Sequence, residues 1–202
     1  MSNPAQVLII RHGEKLGNPA DEVNGGPDLS VRGSARAAAL TSLFAPADYQ
    51  TSQLSCALAT AHPDFIGSYL PVSIAGGQRR FATPDFIIAT KRSHRSNRPV
   101  ETITPLESAL GLSDDHYNHE HPEDDYATVA THILTHSKYE GKVVLICWHH
   151  GKIPDLTKAF GVAAPPTWPN DVFDRVWQIT WPSGQATLKI EYQMLLYGDT
   201  AG

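Results

Sequence analysis

The chain has 202 residues, a length that predicts a single domain over residues 1–202 with one sizeable core. Hydrophobic residues make up 41% of it and charged residues 18%, a composition that is typical of globular proteins and excludes a disordered chain. The formal charge of -5 argues against a nucleic-acid partner, because proteins that bind nucleic acids usually present a basic face.

The sequence predicts no membrane span and no cysteine framework. Its longest apolar runs, Val7–Ile10 and Val143–Trp148, are far shorter than the roughly 20 residues that cross a bilayer. The N-terminus lacks a basic start followed by a long apolar stretch, which is the pattern of a secretory signal. Cys56 and Cys147 are the only cysteines and cannot form a CxxC zinc site. These features favour a cytoplasmic protein.

Short apolar strands alternate with helices along the chain. In chain order we predict a strand over Gln6–Ile10, a helix from the N-cap Ser30 to Phe44, a strand over Phe86–Ala89, helices over Pro99–Leu110 and Pro122–Lys138, a strand over Lys142–Trp148, a helix over Pro154–Phe160, and a hairpin of Arg175–Trp181 with Thr187–Gln193. This alternation predicts a three-layer α/β/α sandwich with a mainly parallel central sheet and a C-terminal hairpin.

Three segments do not fit the alternation simply. Residues 45–85 predict a long insertion with little regular structure, and residues 112–121 predict a loop dense in histidine and acid. Pro105 leaves two possibilities open for the second helix: a kink at that position, or a new helix that begins with Thr104 as its N-cap.

A histidine-rich stretch in the second of these segments invites comparison with metal sites. His116, His119 and His121 fit neither HExxH nor HxxEH, and Pro122 follows at once. We therefore predict a solvated loop here and no metal site.

Histidine and arginine side chains follow the three predicted buried strands. His12 comes after the first strand, His149 and His150 come after the third, and the loop after the second carries several arginines up to Arg98. Ligands of parallel α/β sheets bind at the carboxyl ends of the strands, so we expect these loops to meet at one mouth.

These residue types suit a phosphoryl group. A phosphate monoester is a dianion, and the planar guanidinium groups of Arg11 and Arg98 can each give two parallel hydrogen bonds to it. Transfer also needs a nucleophile that is neutral near pH 7, which the imidazole of His12 or His150 can be. Such a pocket requires neither a metal ion nor another cofactor.

Four pieces of the sequence, in this order, resemble the histidine phosphatase superfamily, which has the phosphoglycerate-mutase-like fold. They are Arg11-His12-Gly13-Glu14 after the first strand, the helix start from Leu29 to Ala37, the segment Arg98-Pro99-Val100-Glu101-Thr102, and the late strand that leads to His150-Gly151. The third piece departs from the usual Arg-Ala-x-x-Thr of the family. The resemblance spans about residues 5 to 160 and is absent over residues 45–85.

The resemblance implies a role for each of the matched side chains. His12 would be the nucleophile and would form a phosphohistidine, while Arg11, Arg98 and His150 would hold the phosphoryl oxygens. His150 is preferred to His149 because the second histidine of the family directly precedes a glycine.

Two further positions complete the predicted site. Asn18 stands where many family members keep an asparagine that contacts phosphate, although Gly17 replaces the tryptophan that usually precedes it. A leaving alkoxide also needs a proton donor, which the family places after the second arginine. Glu120 is our first candidate and Asp124 our second; the others are Glu107, Glu123 and Asp125.

The expected function is that of a metal-independent phosphomonoester hydrolase that acts on a small phosphate ester through phospho-His12. A phosphoglycerate-type mutase is an alternative, but residues 112–142 leave little chain for the lid that retention of the product requires. A non-catalytic phosphate-binding module on the same fold is another, and the intact nucleophile argues against it.

Overall fold

The computed structural model describes residues 3–17, 25–45 and 81–199 of the chain. The strands in these residues are β1 (Gln6–Arg11), β2 (Phe86–Thr90), β3 (Tyr117–His121), β4 (Val143–Trp148), β5 (Arg175–Thr180) and β6 (Thr187–Tyr192). The helices are α1 (Val31–Phe44), α2 (Arg98–Leu110), α3 (Tyr126–Thr135) and α4 (Ile153–Ala159), with short 3-10 turns at Ser137–Tyr139 and Pro182–Gly184.

The strands form one sheet in the order β3-β2-β4-β1-β5-β6. The first four of these strands are mutually parallel, whereas β5 and β6 form an antiparallel hairpin on the far side of β1. In the pairing of β1 with β4, Arg11 lies opposite Trp148, so these two strands end side by side. The predicted mainly parallel sheet with a C-terminal hairpin is confirmed.

Two apolar cores lie on opposite faces of the sheet. Along β1, Val7 and Ile9 point into the core that α3 and α4 cover, whereas Leu8 and Ile10 point into the core that α1 and α2 cover. Both faces are therefore buried, which is why the three inner parallel strands, β1, β2 and β4, contain continuous apolar runs. The three-layer sandwich is confirmed. No helix in the described part of the chain combines the length and the apolar character that crossing a bilayer would require.

Helix α1 begins and ends where local signals predict. The Ser30 side chain accepts a hydrogen bond from the Gly33 amide at 3.1 Å, which satisfies one of the free amides of the first turn. Ala37, Leu40 and Phe44 are buried against the sheet. The helix stops at Phe44, two residues before Pro46.

The predicted loop over residues 112–121 is wrong in its second half, which is strand β3. The strand pairs only with β2 among the described residues and alternates between half-buried and exposed positions. An edge strand needs no apolar run, because one side of it faces solvent. The helix predicted over Pro122–Lys138 is shorter, since residues 122–125 form a turn in which the Asp125 amide donates to the Pro122 carbonyl at 3.0 Å.

Helix α2 runs without a break through Pro105. An internal proline costs a helix about 3 kcal/mol, but Ile103 and Leu106 on either side of it are fully buried against the sheet and offset that cost. A new helix at Thr104, one of the two possibilities from the sequence, is therefore excluded. Residues 46–80 of the predicted insertion lie outside the described residues.

Candidate active site

A cavity of about 290 Å³ opens at the carboxyl ends of β1 and β4. It is lined by Arg11, His12, Lys15, Arg98, Glu123, His149, His150, Gly151 and Lys152. Four of these side chains are cationic and one is a carboxylate, so the cavity suits an anion. The sequence predicted that Arg11, His12, Arg98 and His150 would meet, and the fold brings all four to this cavity.

The geometry of His12 leaves one ring nitrogen ready to act as a nucleophile. Nδ1 lies 2.7 Å from the Gly13 carbonyl oxygen, and since a carbonyl can only accept, Nδ1 carries the proton. The lone pair of the neutral ring is then on Nε2. Burial lowers the pKa of His12 well below its usual value, and His149 and Arg11 lower it further. His12 is therefore neutral at pH 7.

Arg11 is almost completely buried, and a distant loop holds one end of its guanidinium. Nη1 donates to the carbonyl oxygens of Asn170 at 2.6 Å, Val172 at 2.8 Å and Pro169 at 3.3 Å. Burial lowers the pKa of Arg11 to about 9, so the group remains charged at neutral pH. The sequence placed Arg11 in the site and suggested that the Trp168-Pro169 loop could line the mouth of the pocket, but it did not predict these hydrogen bonds to Arg11.

Helix α2 supplies Arg98 and is joined to the loop after β1. The Thr102 hydroxyl accepts from the Gly13 amide at 2.8 Å and donates to the Arg98 carbonyl at 2.7 Å. The Arg98 Nη1 donates to the Gly26 carbonyl at 2.6 Å, and burial lowers the pKa of Arg98. The spacing of Arg98 and Thr102 in the sequence thus reflects a direct contact between two of the motif pieces.

An ionic network in which Arg36, Glu14 and Asp199 are largely buried supports the loop after β1. The carboxylate of Glu14 accepts from Arg36 Nη2 at 2.7 Å and from Arg32 Nε at 3.0 Å. Arg36 also donates to Asp199 at 2.7 Å, and Asp199 accepts from the Leu196 amide at 3.0 Å. This network ties the C-terminal segment to the residue two positions after His12. No local signal in the sequence predicts the partnership of Arg36 with Asp199.

The two histidines that follow β4 have different surroundings. The ring of His149 lies against that of His12, with centroids 5.3 Å apart and an angle of 69° between the planes. A hydrogen bond of 3.2 Å joins its Nε2 to the Thr90 hydroxyl. His150 instead donates from Nε2 to the Asn170 side-chain oxygen at 2.8 Å. Sequence reasoning preferred His150 of this pair, but the ring that contacts His12 is that of His149.

The two preferred proton donors lie outside the residues that line the cavity. Glu120 is on the edge strand β3, where its side chain is 83% exposed. Asp124 is 73% exposed and pairs with Lys152 at 2.6 Å. Glu123, one of the other candidates from the sequence, does line the cavity, and its carboxylate is 3.7 Å from His149 Nε2. Asn18 lies outside the described residues.

The burial of His149 predicts that stability depends on pH. Burial and the neighbouring Arg98 lower the pKa of His149 from 6.5 to about 4, so the unfolded chain binds more protons between these pH values. His149 therefore contributes about 3 kcal/mol to the free energy of unfolding above pH 6.5. This contribution is lost as the pH falls from 6.5 towards 4.

Thermal unfolding of the native protein and of His149→Asn between pH 4 and 8 measures this effect. The variant should lose less stability on acidification, although the buried His12 continues to contribute in the same direction. Equal losses in the two proteins would contradict the prediction.

The chain is similar to known proteins in its fold and not in its sequence. No protein-family model matches the chain, and no curated protein matches its sequence. A solved structure of the protein histidine phosphatase SixA complexed with tungstate is similar over 93% of this chain and 97% of that one, with 14% identity and a TM-score of 0.51. A mycobacterial glucosyl-3-phosphoglycerate phosphatase covers 93% of this chain and 97% of its own, with 13% identity and a TM-score of 0.47. A phosphoglycerate mutase from Plasmodium falciparum covers 99% and 98%, with 12% identity and a TM-score of 0.47.

The chain therefore has the fold of the histidine phosphatases, the phosphoglycerate-mutase-like fold, as the sequence motifs predict. Identities this low establish the fold alone. The activity has to be argued from the site.

Proposed function

We propose that this protein is a phosphomonoester hydrolase of the histidine phosphatase superfamily, acting on a small phosphate ester through a phosphohistidine on His12. The observation that carries the proposal is the hydrogen bond from His12 Nδ1 to the Gly13 carbonyl in a cavity lined by two arginines. It fixes the tautomer whose Nε2 can attack phosphorus. The low pKa of His12 keeps that nitrogen unprotonated at the working pH.

Binding of the phosphoryl group uses the charges that converge on the cavity. Arg11 and Arg98 neutralise the dianion and direct their N–H groups at its oxygens. His149 is neutral in the empty cavity, but a bound dianion favours its charged form, so it takes up a proton and becomes a further donor. We assign this role to His149 rather than His150, because its ring lies against the nucleophile.

The transfer proceeds in two steps. His12 Nε2 attacks phosphorus, the bond from phosphorus to the ester oxygen breaks, and the leaving oxygen takes a proton from the carboxyl group of Glu123. Water then attacks the phosphohistidine, the Glu123 carboxylate takes the proton of that water, and the N–P bond breaks. Phosphate leaves and His12 is restored with its lone pair on Nε2.

Hydrolysis of p-nitrophenyl phosphate by the purified protein tests the proposal. Turnover by the native protein that is lost in His12 variants would not by itself separate a phosphatase from a mutase. Assays with phosphoglycerates make that distinction, since a mutase returns the phosphoryl group to another hydroxyl of the substrate. Phosphate binding without any turnover would instead indicate a binding module and overturn the proposal.

Replacing Glu123 with glutamine is expected to slow alkyl phosphates by about 10²–10³-fold and p-nitrophenyl phosphate by less than about tenfold. An alkoxide needs a proton as it leaves, whereas p-nitrophenolate is stable without one. Parallel measurements of kcat/KM on both substrate types give the ratio directly.

Glu120→Gln and Asp124→Asn are the matched controls, because each removes one carboxylate near the same segment but outside the cavity lining. Both should leave the ratio between the two substrates unchanged. A selective loss on alkyl phosphates in either control, with Glu123→Gln unaffected, would move the proton donor to that residue.

A further inference from the structure

The loop Pro169–Phe173, here named the Arg11 loop, reaches the catalytic cavity from the segment before β5. Three of its carbonyl oxygens accept hydrogen bonds from Arg11 Nη1. The loop is itself held at several points: Trp168 Nε1 donates to the Val172 carbonyl at 2.8 Å, and Gln193 Nε2 donates to the Phe173 carbonyl at 3.3 Å. The Arg11 loop is therefore a fixed support on one side of the guanidinium.

This support decides which edge of Arg11 is left for a ligand. A guanidinium offers N–H groups along two edges, and Nη1 belongs to only one of them. The other edge carries Nε and one N–H of Nη2, which together match two oxygens of a phosphoryl group. Nε is buried and has no hydrogen-bond partner among the described residues. Arg11 lines the cavity, and because the loop carbonyls occupy Nη1, the edge with Nε and Nη2 is the one left without an acceptor among the described residues.

Phe173 fixes the plane of the same guanidinium. The central carbon of the Arg11 guanidinium lies 3.7 Å from the centroid of the Phe173 ring, a close cation–π contact. That ring is 5% exposed and lies 6.2 Å from the His12 ring. The aromatic face packs on the flat face of the guanidinium and adds to the restraint that the Nη1 hydrogen bonds place on its plane.

We propose that Phe173 is a positioning residue that, with the carbonyls of the Arg11 loop, holds Arg11 so that its Nε and Nη2 edge faces the phosphoryl group beside His12. The proposal rests on the proposed function and adds the element that orients its first arginine. It assigns a functional part to a segment that lies about 160 residues from Arg11 in the sequence.

The test compares Phe173→Leu, which keeps an apolar side chain without an aromatic face, with Phe173→Tyr, which keeps the face. Phe173→Leu should lower kcat/KM for p-nitrophenyl phosphate about tenfold and raise the inhibition constant of orthovanadate in parallel. Phe173→Tyr should stay within about twofold of the native value. In an Arg11→Lys background, Phe173→Leu should cause no further loss, because the group that it orients is gone.

Several outcomes would overturn the proposal. Native activity in Phe173→Leu excludes a positioning role, and so does an equal loss in the native and Arg11→Lys backgrounds. If the leucine variant does not fold, Phe173→Met makes the same comparison with a longer apolar side chain. Two measurements distinguish this failure from failure of the proposed function: turnover by the native protein and calorimetric binding of orthovanadate to each variant. Absent turnover by the native protein overturns the hydrolase. Unchanged vanadate binding in the variants overturns the role of Phe173.

Discussion

Replacing His12 with alanine is expected to lower kcat for p-nitrophenyl phosphate by about 10⁴-fold or more, because no covalent intermediate can form. The hydrogen bond from Nδ1 to the Gly13 carbonyl is lost as well, but the structural cost is small beside the loss of the nucleophile. Steady-state kinetics with thermal unfolding of the same samples separates the two effects. A variant that retains more than a tenth of native activity would exclude His12 as the nucleophile.

The two histidines after β4 provide the matched comparison. His149→Ala should cost about 10²–10³-fold in kcat, since it removes a donor to the phosphoryl group next to His12. His150→Ala should cost less than about tenfold, because that side chain is held by Asn170. The reverse order would restore the assignment of the second histidine that the sequence favours.

Replacing Gly33 with alanine should destabilise the protein by about 3–4 kcal/mol and lower Tm by about 8–12 °C. A methyl group at this position would lie 2.3 Å from the carbonyl oxygen and 2.9 Å from the amide nitrogen of Glu14. These are backbone atoms of the loop that carries His12, so they cannot move aside without displacing His12. Alanine in place of glycine would by itself stabilise the helix by about 1 kcal/mol. A net loss of stability would therefore show that the clash outweighs this gain.

Gly151→Ala is the control for this substitution. A methyl group at Gly151 meets no other atom within 4 Å, and its backbone does not occupy the left-handed region. Its Tm should stay within about 2 °C of the native value. A Gly33 variant as stable as the native protein would show that helix α1 and the loop after β1 pack less closely than the structure indicates.

The elements whose signals are local could be predicted from the amino-acid sequence. Strands β1 and β4 contain the unbroken apolar runs Val7–Ile10 and Val143–Trp148, because both faces of the parallel sheet are covered. Helix α1 has its N-cap at Ser30 and buried side chains at helical spacing. The motif pieces around Arg11, His12 and Arg98 can also be recognised in the sequence. The predicted topology places them at the carboxyl ends of the strands.

Which of several groups of the same chemical type meet at the site depends on the packing of the folded chain. His149 and His150 are neighbours in the sequence, and the end of β4 determines which ring reaches His12. Glu123 and Asp124 differ by one position, yet one lines the cavity and the other pairs with Lys152. A difference of one residue changes the direction of a side chain without changing any local pattern.

The sequence could not predict which distant residues hold Arg11 and Arg36 in place, for a related reason. Arg11 meets Phe173, and Arg36 meets Asp199, across more than 160 residues of chain in each case. No spacing rule links such positions, because their contact exists only after the hairpin of β5 and β6 has closed against β1. Local sequence therefore specified His12, the proposed nucleophile, and its strand, while packing over long distances specified how the neighbours of His12 are oriented around it.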